Sequence, residues 1–472
     1  MHRRAFLELL ATIGLPWAAA SCAPAPTLGF PRGRSDAAGS RSDAAGPARV
    51  LVLGAGLAGL AAAQELQAAG FAVTVLEARK RIGGRIWTST RWPESPLDLG
   101  ASWIHGVRGN PLTAVADRIG ARRVSTDYDR ARVYGSQGQE LSPADEARLD
   151  ALRERVFAVI ARAQERSTDQ SVRQALEPLL REPAGGPEAR RLLDFILSGD
   201  IEQEYAGSVA SLSVHWFDAA RAYPGGDELF TQGFQVIAQH LAKGLTIALG
   251  EVVQDIDWSG ETVRVLTDQG SHQADHTVVT LPLGVLQSGR PRFHPALPRA
   301  KQEAIGALGM GVLNKCYLRF ARAFWPADAD WLEHLSPRPG EWTEWVSFQR
   351  AAGLPVLLGF LAADQARAIE VLADERIVAS AMATLKRIFG QDIPQPLDYQ
   401  VTRWAQDPFA CGSYSYTPVG ATPGSRRALA RPLEGRLFFA GEATEPDDFG
   451  TAHGAYLSGL RAARELMDRQ RS

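Results

Sequence analysis

The chain has 472 residues, which is enough for two or three domains of roughly 100–200 residues and a large buried core. Hydrophobic residues make up 45% of the sequence and charged residues 22%, the ordinary balance of a globular protein. The formal net charge of −2 excludes a basic nucleic-acid-binding protein, and three cysteines exclude a disulfide-stapled or cysteine-rich zinc scaffold. The sequence has no uninterrupted run of about 20 apolar residues, which argues against a multi-pass membrane protein.

The N-terminal residues 1–22 have the pattern of an export signal. Arg3 and Arg4 precede a mostly apolar stretch over Leu9–Ala20 that ends in small residues. This order resembles a twin-arginine signal, which exports folded proteins and suits a protein that binds its cofactor in the cytoplasm. The sequence therefore predicts a periplasmic protein, with a buried or disordered N-terminal helix as the alternative interpretation.

The predicted signal ends in Ala19-Ala20-Ser21-Cys22, which resembles a lipoprotein processing box. In that interpretation Cys22 becomes the lipidated first residue and tethers the protein to a membrane. Ordinary cleavage after a small residue is the alternative. Residues 23–47 twice contain the sequence Arg-Ser-Asp-Ala-Ala-Gly and hold mainly small and polar residues, so we predict a flexible linker there.

A strand, a helix and a second strand follow the linker. The apolar run Arg49–Leu53 predicts the first strand, and a glycine-rich turn comes directly after it. The alanine-rich stretch Leu60–Ala69 predicts a helix that ends before Gly70. The run Phe71–Leu76 predicts the second strand, which completes a βαβ unit.

The turn in this unit carries the spacing of a dinucleotide fingerprint. Gly54 permits a tight turn, Gly56 lets backbone N–H groups approach a pyrophosphate, and Gly59 lets the helix pack closely on the strand. Glu77 ends the second strand, where a carboxylate accepts hydrogen bonds from ribose hydroxyls. The N-terminus of the helix then favours the phosphate charge.

The residues after Glu77 distinguish FAD from NAD as the dinucleotide cofactor. Arg79, Gly84 and Arg85 belong to a segment in which two glycines lie inside a cluster of guanidinium groups, and such a cluster can bind further phosphate oxygens. This stretch resembles the FAD-binding signature of the flavin amine oxidase superfamily.

Further segments extend the resemblance over residues 49–465. Segment 99–106 is similar to the second signature of polyamine oxidases, and segment 311–315 is similar to the one that carries the family's active-site lysine. Segments 438–444 and 450–459 resemble the C-terminal FAD signature. The pattern is most similar to polyamine oxidases and lysine-specific histone demethylases.

The resemblance implies an α/β fold, with a Rossmann-type FAD-binding domain and a discontinuous α+β substrate-binding domain. The implied FAD-binding pieces are 48–110, 206–300 and 400–472, and the implied substrate-binding pieces are 111–205 and 301–399. Within them, composition predicts helices over 142–197 with a loop at 183–187, and an antiparallel meander over Leu245–Leu286.

The implied activity is oxidation of a polyamine or a similar primary or secondary amine. Non-covalent FAD would take a hydride from the amine at N5, and water would hydrolyse the resulting imine. Oxygen would then reoxidise the reduced flavin and become hydrogen peroxide. Three alternatives stay open: an L-amino-acid oxidase of the same superfamily, a flavin dehydrogenase that reduces a quinone, and a non-catalytic binding protein. The expected partners are a small amine and oxygen, and no metal-ligand spacing is seen.

Three residues receive implied roles in catalysis. Lys315 lies in a β-like run over Val312–Phe320, and the resemblance implies that it meets flavin N5 through a water molecule. Tyr414 is implied to form one wall of an aromatic cage, with Tyr416 on the same strand face. Thr451 stands where many relatives have the second aromatic wall, which leaves a half cage.

The resemblance also assigns contacts to the cofactor and to the substrate. The substrate contacts are His105, Tyr414 and Glu204, although the register also allows Glu202. Besides the fingerprint, the cofactor contacts are Gly100, Ala101, Ser102, Trp103, Val253, Trp404, Gly441, Glu442, Thr451 and Ala452.

The cysteine that bonds to flavin in monoamine oxidases is replaced here by Ser413, which predicts non-covalent FAD. Cys411 lies two residues earlier, on the same face if the strand is regular.

Overall fold

The computed structural model describes residues 46–181 and 186–471. The predicted export signal with Cys22, and nearly all of the predicted linker, lie outside the described residues. Within the described residues, no helix has the length and apolar character needed to cross a membrane.

A five-stranded parallel sheet forms the dinucleotide-binding part of the fold. Its strands lie in the order Leu437–Phe439, His276–Val279, Arg49–Leu53, Ala72–Glu77 and Thr246–Leu249. Helix Leu57–Ala68 connects the central strand to its neighbour, so the predicted βαβ unit is confirmed, with the helix beginning three residues earlier than predicted. The C-terminal helix Ala452–Arg471 packs on it so closely that a Cβ at Gly459 would lie 2.2 Å from the Ala58 carbonyl oxygen.

The predicted meander over 245–286 is wrong at both ends. Antiparallel pairing is confined to Val253–Asp257, Val263–Thr267 and Ser271–Ala274, with Arg292–His294 added in parallel at the edge. The flanking strands Thr246–Leu249 and His276–Val279 join the parallel sheet instead. All four residues of the second of these are buried, as expected for an inner strand of a parallel sheet covered on both faces.

A six-stranded, mainly antiparallel sheet faces the parallel sheet across the site. Its strands lie in the order Asp398–Val401, Leu313–Arg319, Val356–Ala362, Glu344–Ser347, Trp331–His334 and Ala131–Tyr134. The strands of the two large sheets therefore come from alternating pieces of the chain. The exact division into two discontinuous domains stays a prediction.

The register of the six-stranded sheet aligns four side chains in one row. Lys315 pairs with Phe360, and Glu344 pairs with Glu333 on its other side. Trp345 pairs with Gly359, which places Glu344 directly beside Phe360. Residues paired across neighbouring strands point to the same face. Lys315, Phe360, Glu344 and Glu333 therefore form a row across one face of the sheet.

Smaller elements complete the scaffold. A three-stranded sheet joins Trp103–Ile104, Asp227–Phe230 and Arg123–Thr126, and two-residue pairs join Thr88–Ser89 with Leu97–Asp98 and Gly309–Met310 with Ser415–Tyr416. Further helices are Pro111–Arg118, Gln235–Leu241, Leu283–Gln287, Arg299–Ala307, Phe348–Ala352, Ala363–Glu370, Asp374–Phe389 and Pro423–Ala430. Short 3₁₀ turns cover Tyr128–Arg130 and Glu442–Thr444.

The helical prediction for 142–197 is confirmed over the described residues. Of the loop predicted at 183–187, residues 183–185 lie outside the described residues, and Gly186 and Pro187 begin a helix instead. The helices are Pro143–Gln164, Val172–Ala175, Glu177–Arg181 and Gly186–Phe195. Residues Ile196–Gln203 continue the chain as π-helical turns, which are rare and are frequent at functional sites. This segment delivers Glu204 to the site described below.

We predict that Gly59→Ala unfolds more easily than the unsubstituted protein. A Cβ at Gly59 would lie 1.9 Å from the Gly54 carbonyl oxygen, and that backbone cannot move without breaking the turn. The loss should be about 3 kcal/mol of unfolding free energy, measured by thermal or chemical denaturation. Gly306→Ala is the matched control, because a Cβ at that helical glycine meets nothing within 4 Å. Equal stability of the two variants would contradict the packing role.

Candidate active site

A cavity of about 400 Å³ lies between the two large sheets. On one side it is lined by residues at the carboxyl ends of parallel strands, where α/β sheets bind ligands. On the other side it is lined by three members of the row on the six-stranded sheet, namely Lys315, Phe360 and Glu344.

The glycine-rich turn opens onto this cavity without side chains. A Cβ at Gly56 would meet no protein atom within 4 Å, and Gly56 caps the N-terminus of helix Leu57–Ala68. Gly84 approaches it from the second glycine turn, at 3.4 Å between its ideal Cβ and the Gly56 Cα. Gly59 does not line the cavity, which agrees with the packing role predicted for it.

The predicted ribose-binding carboxylate lines the same cavity. Glu77 accepts hydrogen bonds from the backbone N–H groups of Ala55 at 2.7 Å and Arg79 at 2.9 Å. Burial raises the pKa of Glu77, and these two hydrogen bonds oppose the rise. The backbone therefore fixes the carboxylate at the end of its strand.

The two predicted phosphate-binding arginines both line the cavity but already have carboxylate partners. Arg79 makes a two-pronged ion pair with Asp407, with N–O distances of 2.9 and 2.6 Å. Arg85 donates to Glu442 and to the Ser413 carbonyl oxygen, each at 2.9 Å. Because a guanidinium group has five N–H donors, these pairs orient the two arginines without using every donor.

Lys315 is buried on the opposite side of the cavity. Its Nζ donates to the carbonyl oxygens of Asp98 at 2.8 Å and Gly100 at 2.6 Å, and to Ser102 Oγ at 2.5 Å. Burial lowers the pKa of Lys315, and the negative charge of Asp98 opposes that change. Lys315 is not a surface lysine, since it is only 5% exposed.

Tyr414 and Thr451 lie at one end of the cavity. The Tyr414 hydroxyl donates to the Gln203 carbonyl oxygen at 2.9 Å, at the end of the π-helical turns. Thr451 Oγ1 donates to the Asp448 carbonyl oxygen at 2.6 Å and accepts the Gly454 N–H at 2.9 Å. Thr451 thus caps the C-terminal helix while it lines the cavity. Tyr416 lies outside the cavity lining and packs against the backbone of the segment after the π-helical turns.

Glu442 connects these two residues. Its buried carboxylate accepts the Ser415 hydroxyl at 2.6 Å and the Gly450 N–H at 3.0 Å, one on the neighbour of Tyr414 and one on the neighbour of Thr451. Burial alone would raise the pKa of Glu442, but the charge of Arg85, the Ser415 hydrogen bond and the charge of Arg426 outweigh it and hold the pKa below its usual value. Glu442 therefore stays ionised and fixes both walls.

The three predicted substrate contacts all line the cavity. His105 Nδ1 lies 3.0 Å from Asp227 Oδ2, and its ring stacks on Trp103 at 6.2 Å between ring centres. Glu204 lines the cavity, whereas Glu202 does not. Glu202 instead accepts the Val209 N–H at 3.0 Å, and burial raises its pKa to about 7. Of the two registers, the structure places Glu204 at the cavity.

The remaining predicted cofactor contacts also line it. They are Gly54, Gly100, Ala101, Ser102, Trp103, Val253, Trp404, Gly441 and Ala452. Their individual roles stay predictions. Together with the side-chain-free turn at Gly56 and the anchored Glu77, this lining fits FAD: the N-terminus of helix Leu57–Ala68 would hold its phosphates, and Glu77 would hold its ribose.

Sequence reasoning missed several cavity residues. Trp331, Glu344 and Phe360 lie on the six-stranded sheet, Tyr128 lies in the 3₁₀ turn before its edge strand, and Asp227 lies on the three-stranded sheet. One signal was available, because an acidic residue between Trp342 and Trp345 is unusual in a strand whose neighbours are buried. Their convergence on Lys315 depends on strand order, which the sequence does not state.

The position of Cys411 differs from the prediction. Regular alternation would place it beside Ser413, but Cys411 has a φ of +53° and Gly412 a φ of +141°, so the chain is not extended there. Ser413 lines the cavity, whereas Cys411 does not, and its Sγ lies 3.8 Å from the Pro408 carbonyl oxygen. Burial raises the pKa of Cys411, which disfavours a reactive thiolate.

We expect acid precipitation to release all of the flavin from the protein. The thiol of Cys411 does not reach the cavity, and Ser413 offers a hydroxyl instead of a thiolate. The measurement is the absorbance of the supernatant, with Cys411→Ala as the comparison. Flavin that stays in the pellet, and is released only from the Cys411→Ala variant, would contradict the prediction.

Comparisons with known proteins agree with this geometry. The family model "Flavin containing amine oxidoreductase" matches residues 57–467. The chain is 36% identical over 448 residues to Polyamine oxidase 2 of Arabidopsis thaliana, covering 92% of this chain and 90% of that protein. It is 35% identical over 446 residues to Lysine-specific histone demethylase 1 homolog 1 of Oryza sativa subsp. japonica, but spans only 52% of that protein's length.

A solved structure has the same fold. Putrescine oxidase, solved with bound putrescine, superposes with a TM-score of 0.74 at 21% sequence identity, covering 90% of this chain and 99% of that one. At this identity the likeness concerns the fold alone, whereas the family model and the curated relatives cover most of the sequence. The chain therefore belongs to the flavin-containing amine oxidoreductases, enzymes that use FAD to oxidise amines.

Proposed function

We propose that this enzyme oxidises a polyamine, or a similar diamine with primary or secondary nitrogens, and releases hydrogen peroxide. The observation that supports this proposal is the carboxylate of Glu344, which lies in the cavity on the same sheet row as Lys315. A buried carboxylate in an amine site favours a substrate with a second, positively charged nitrogen.

The row sets the distance between the two ends of the proposed substrate site. Glu344 lies two strands away from Lys315, which is roughly 10 Å between their Cα atoms. Phe360 lies between them, and Glu344 is only 3% exposed. The space between the reacting end and this carboxylate therefore suits a chain of several methylene groups between two nitrogens.

Aromatic side chains cover that space. Trp103 stacks with Trp331 at 6.0 Å between ring centres, Trp331 stacks with Tyr128 at 4.2 Å, and Phe360 lies 6.2 Å from Trp103. Aromatic faces attract both methylene chains and ammonium groups. Glu204 and Asp227 add two further carboxylates to the lining, so the cavity favours cations over anions.

The chain's own residues prepare the amine for reaction. FAD, when bound, supplies the hydride acceptor, and the protein supplies position and a water-poor cavity. The reacting nitrogen must be neutral, and burial beside Tyr414 and Trp404 disfavours its charged form, while Glu344 keeps the distant nitrogen charged. Lys315 supplies a positive group on the side of the cavity opposite the glycine-rich turn.

The arrangement supports an amine substrate over an amino acid. An amino-acid oxidase needs a cation for the substrate carboxylate. The arginines in the cavity lining are Arg79, Arg85 and Arg290, and the first two are paired with Asp407 and Glu442 on the cofactor side. On the side of the six-stranded sheet the lining carries Glu344, which would repel a carboxylate.

A substrate panel tests the proposal. The purified FAD-loaded protein should release peroxide with spermidine, spermine or 1,4-diaminobutane, and its flavin should bleach under anaerobic conditions with the same amines. Peroxide only with L-amino acids would contradict the proposal. Bleaching by amines without peroxide in air, but with rapid reduction of a quinone, would instead support the dehydrogenase alternative.

Glu344→Gln should weaken diamine binding selectively. Loss of the charge should raise KM for 1,4-diaminobutane by about 10–100-fold, the usual cost of a lost hydrogen bond to a charged group. KM for 1-aminobutane, which lacks the second nitrogen, should not change. Glu261→Gln is the control, because Glu261 is exposed and lies outside the cavity lining. Equal effects on both substrates would remove Glu344 from substrate recognition.

Lys315→Met should keep FAD bound but slow flavin turnover. We expect a loss of about 10²–10³-fold, because one positioned polar group is removed from a dry site. Stopped-flow absorbance measures both half-reactions, and Lys243→Met, at an exposed lysine, is the control. Unchanged turnover in Lys315→Met would place the reacting centre elsewhere.

A further inference from the structure

The side chain of Lys315 shares its buried surroundings with the carboxyl group of Asp98. Both residues are 5% exposed. The Nζ of Lys315 donates to the carbonyl oxygen of Asp98 at 2.8 Å, and the Tyr317 hydroxyl donates to the same oxygen at 2.8 Å. Lys315 is therefore anchored to the backbone of the residue that carries the buried carboxyl group.

Hydrogen bonds fix the carboxylate of Asp98 in place. Thr88 Oγ1 donates to Oδ1 at 2.5 Å, and the backbone N–H of Phe234 lies 3.0 Å from both carboxylate oxygens. Burial raises the pKa of Asp98, while the Thr88 hydrogen bond, the charge of Lys315 and the Phe234 hydrogen bond oppose the rise. Donors aimed at a carboxylate stabilise its ionised form.

The acceptors around Nζ match the protonated form of the lysine. An ammonium group has three donors, and it faces three oxygen atoms here, of Asp98, Gly100 and Ser102. Two of the three are carbonyl oxygens, which can only accept. A neutral amine has two donors and a lone pair, so it uses this arrangement less completely.

The other groups around Lys315 carry no net charge that competes with Asp98. Tyr317 lies two residues along the same strand, and burial raises its pKa well above the usual value, so it stays neutral. The Trp103 ring centre lies 5.6 Å from Nζ. On the sheet, Lys315 is followed on one side by Phe360 and then by Glu344, whose carboxylate lies two strands away.

We propose that Asp98 is a positioning residue that keeps Lys315 protonated beside the flavin. The proposal rests on the placement of Lys315 in the site of the proposed reaction. Nζ contacts the carbonyl oxygen of Asp98 and not its carboxylate, so the two opposite charges act on each other through space. In a buried region of low dielectric constant they still stabilise each other, and removal of either leaves the other as an isolated buried charge. The positive charge of Lys315 thus stabilises any negative charge that develops on its side of the cavity during the reaction.

The test measures the protonation of Lys315 directly. The chain has five lysines, so the holoenzyme labelled with ε-¹³C-lysine gives few NMR signals, and Lys315→Met identifies the signal of interest. Its chemical shift is followed against pH, together with the visible spectrum of the bound FAD. Neither measurement requires turnover of an amine.

Asp98→Asn should move the titration of Lys315 to lower pH by about 1 unit, the low end of the effect of a nearby opposite charge, because the carboxylate is not in direct contact with Nζ. The titration moves to lower pH because the Asp98 carboxylate, which this substitution removes, stabilises only the protonated form of Lys315. Thr88→Val should move it in the same direction by less, since the carboxylate keeps its charge but loses one donor. This second variant decides the matter if Asp98→Asn does not fold.

Tyr317→Phe is the matched control. It removes a hydrogen bond from the same Asp98 carbonyl oxygen without changing any charge, so the Lys315 titration should stay in place. An unchanged titration in Asp98→Asn, or in Thr88→Val where only that variant folds, would overturn the proposal. An equal shift in Tyr317→Phe would also overturn it, because the hydrogen bond and not the charge would then control the lysine.

The outcome is independent of the substrate. A shifted titration in a protein that oxidises no amine would sustain the role of Asp98 and refute the proposed function. Amine oxidation with an unshifted titration would do the reverse.

Discussion

The hydrogen bonds of Lys315 join the two halves of this structure. The lysine belongs to the six-stranded sheet, whereas its three acceptors lie on segment 98–102, which follows the glycine-rich turns of the cofactor side. A buried cation is costly unless its donors are all satisfied, so both halves must be in register for the charge to be stable. The cavity between the sheets therefore has a defined width at Lys315.

A buried charge with satisfied hydrogen bonds also fixes the wall of the cavity that holds Tyr414 and Thr451. Glu442 is a buried anion, and its hydrogen bonds to Ser415 and Gly450 bring together two segments far apart in sequence. Arg85 completes the network and connects it to the second glycine turn. A fully satisfied polar network of this kind specifies one arrangement of the backbone, because any shift leaves a buried charge without a partner.

The sequence predicts the parts of the molecule whose signals are local. The turn at Gly54–Gly59, the carboxylate of Glu77 and the strand around Lys315 follow from spacing, and each lies where it was predicted. The resemblance to relatives places Tyr414 and Thr451 at the cavity. The boundaries of the meander were wrong because pairing between parallel strands depends on distant segments. Alternation also gave the wrong face for Cys411, because it assumes an extended chain.

The role proposed for Glu344 could not be predicted from the sequence, since it depends on strand order in the six-stranded sheet. In the sequence it is 29 positions away from Lys315 (344 − 315) with no motif around it. In the sheet, only Phe360 separates them. Long-range register carries this information, and a single sequence does not display it.

The side chain of Thr451 has two competing roles, as a helix cap and as part of the cavity wall. Its hydroxyl caps the helix that packs along the dinucleotide-binding helix, and its small side chain leaves one side of the amine pocket open. A larger aromatic residue would narrow the pocket but would leave the first turn of that helix without its cap, at a cost of about 1 kcal/mol. The breadth of amines that the pocket admits is thus tied to how firmly the end of the chain is anchored.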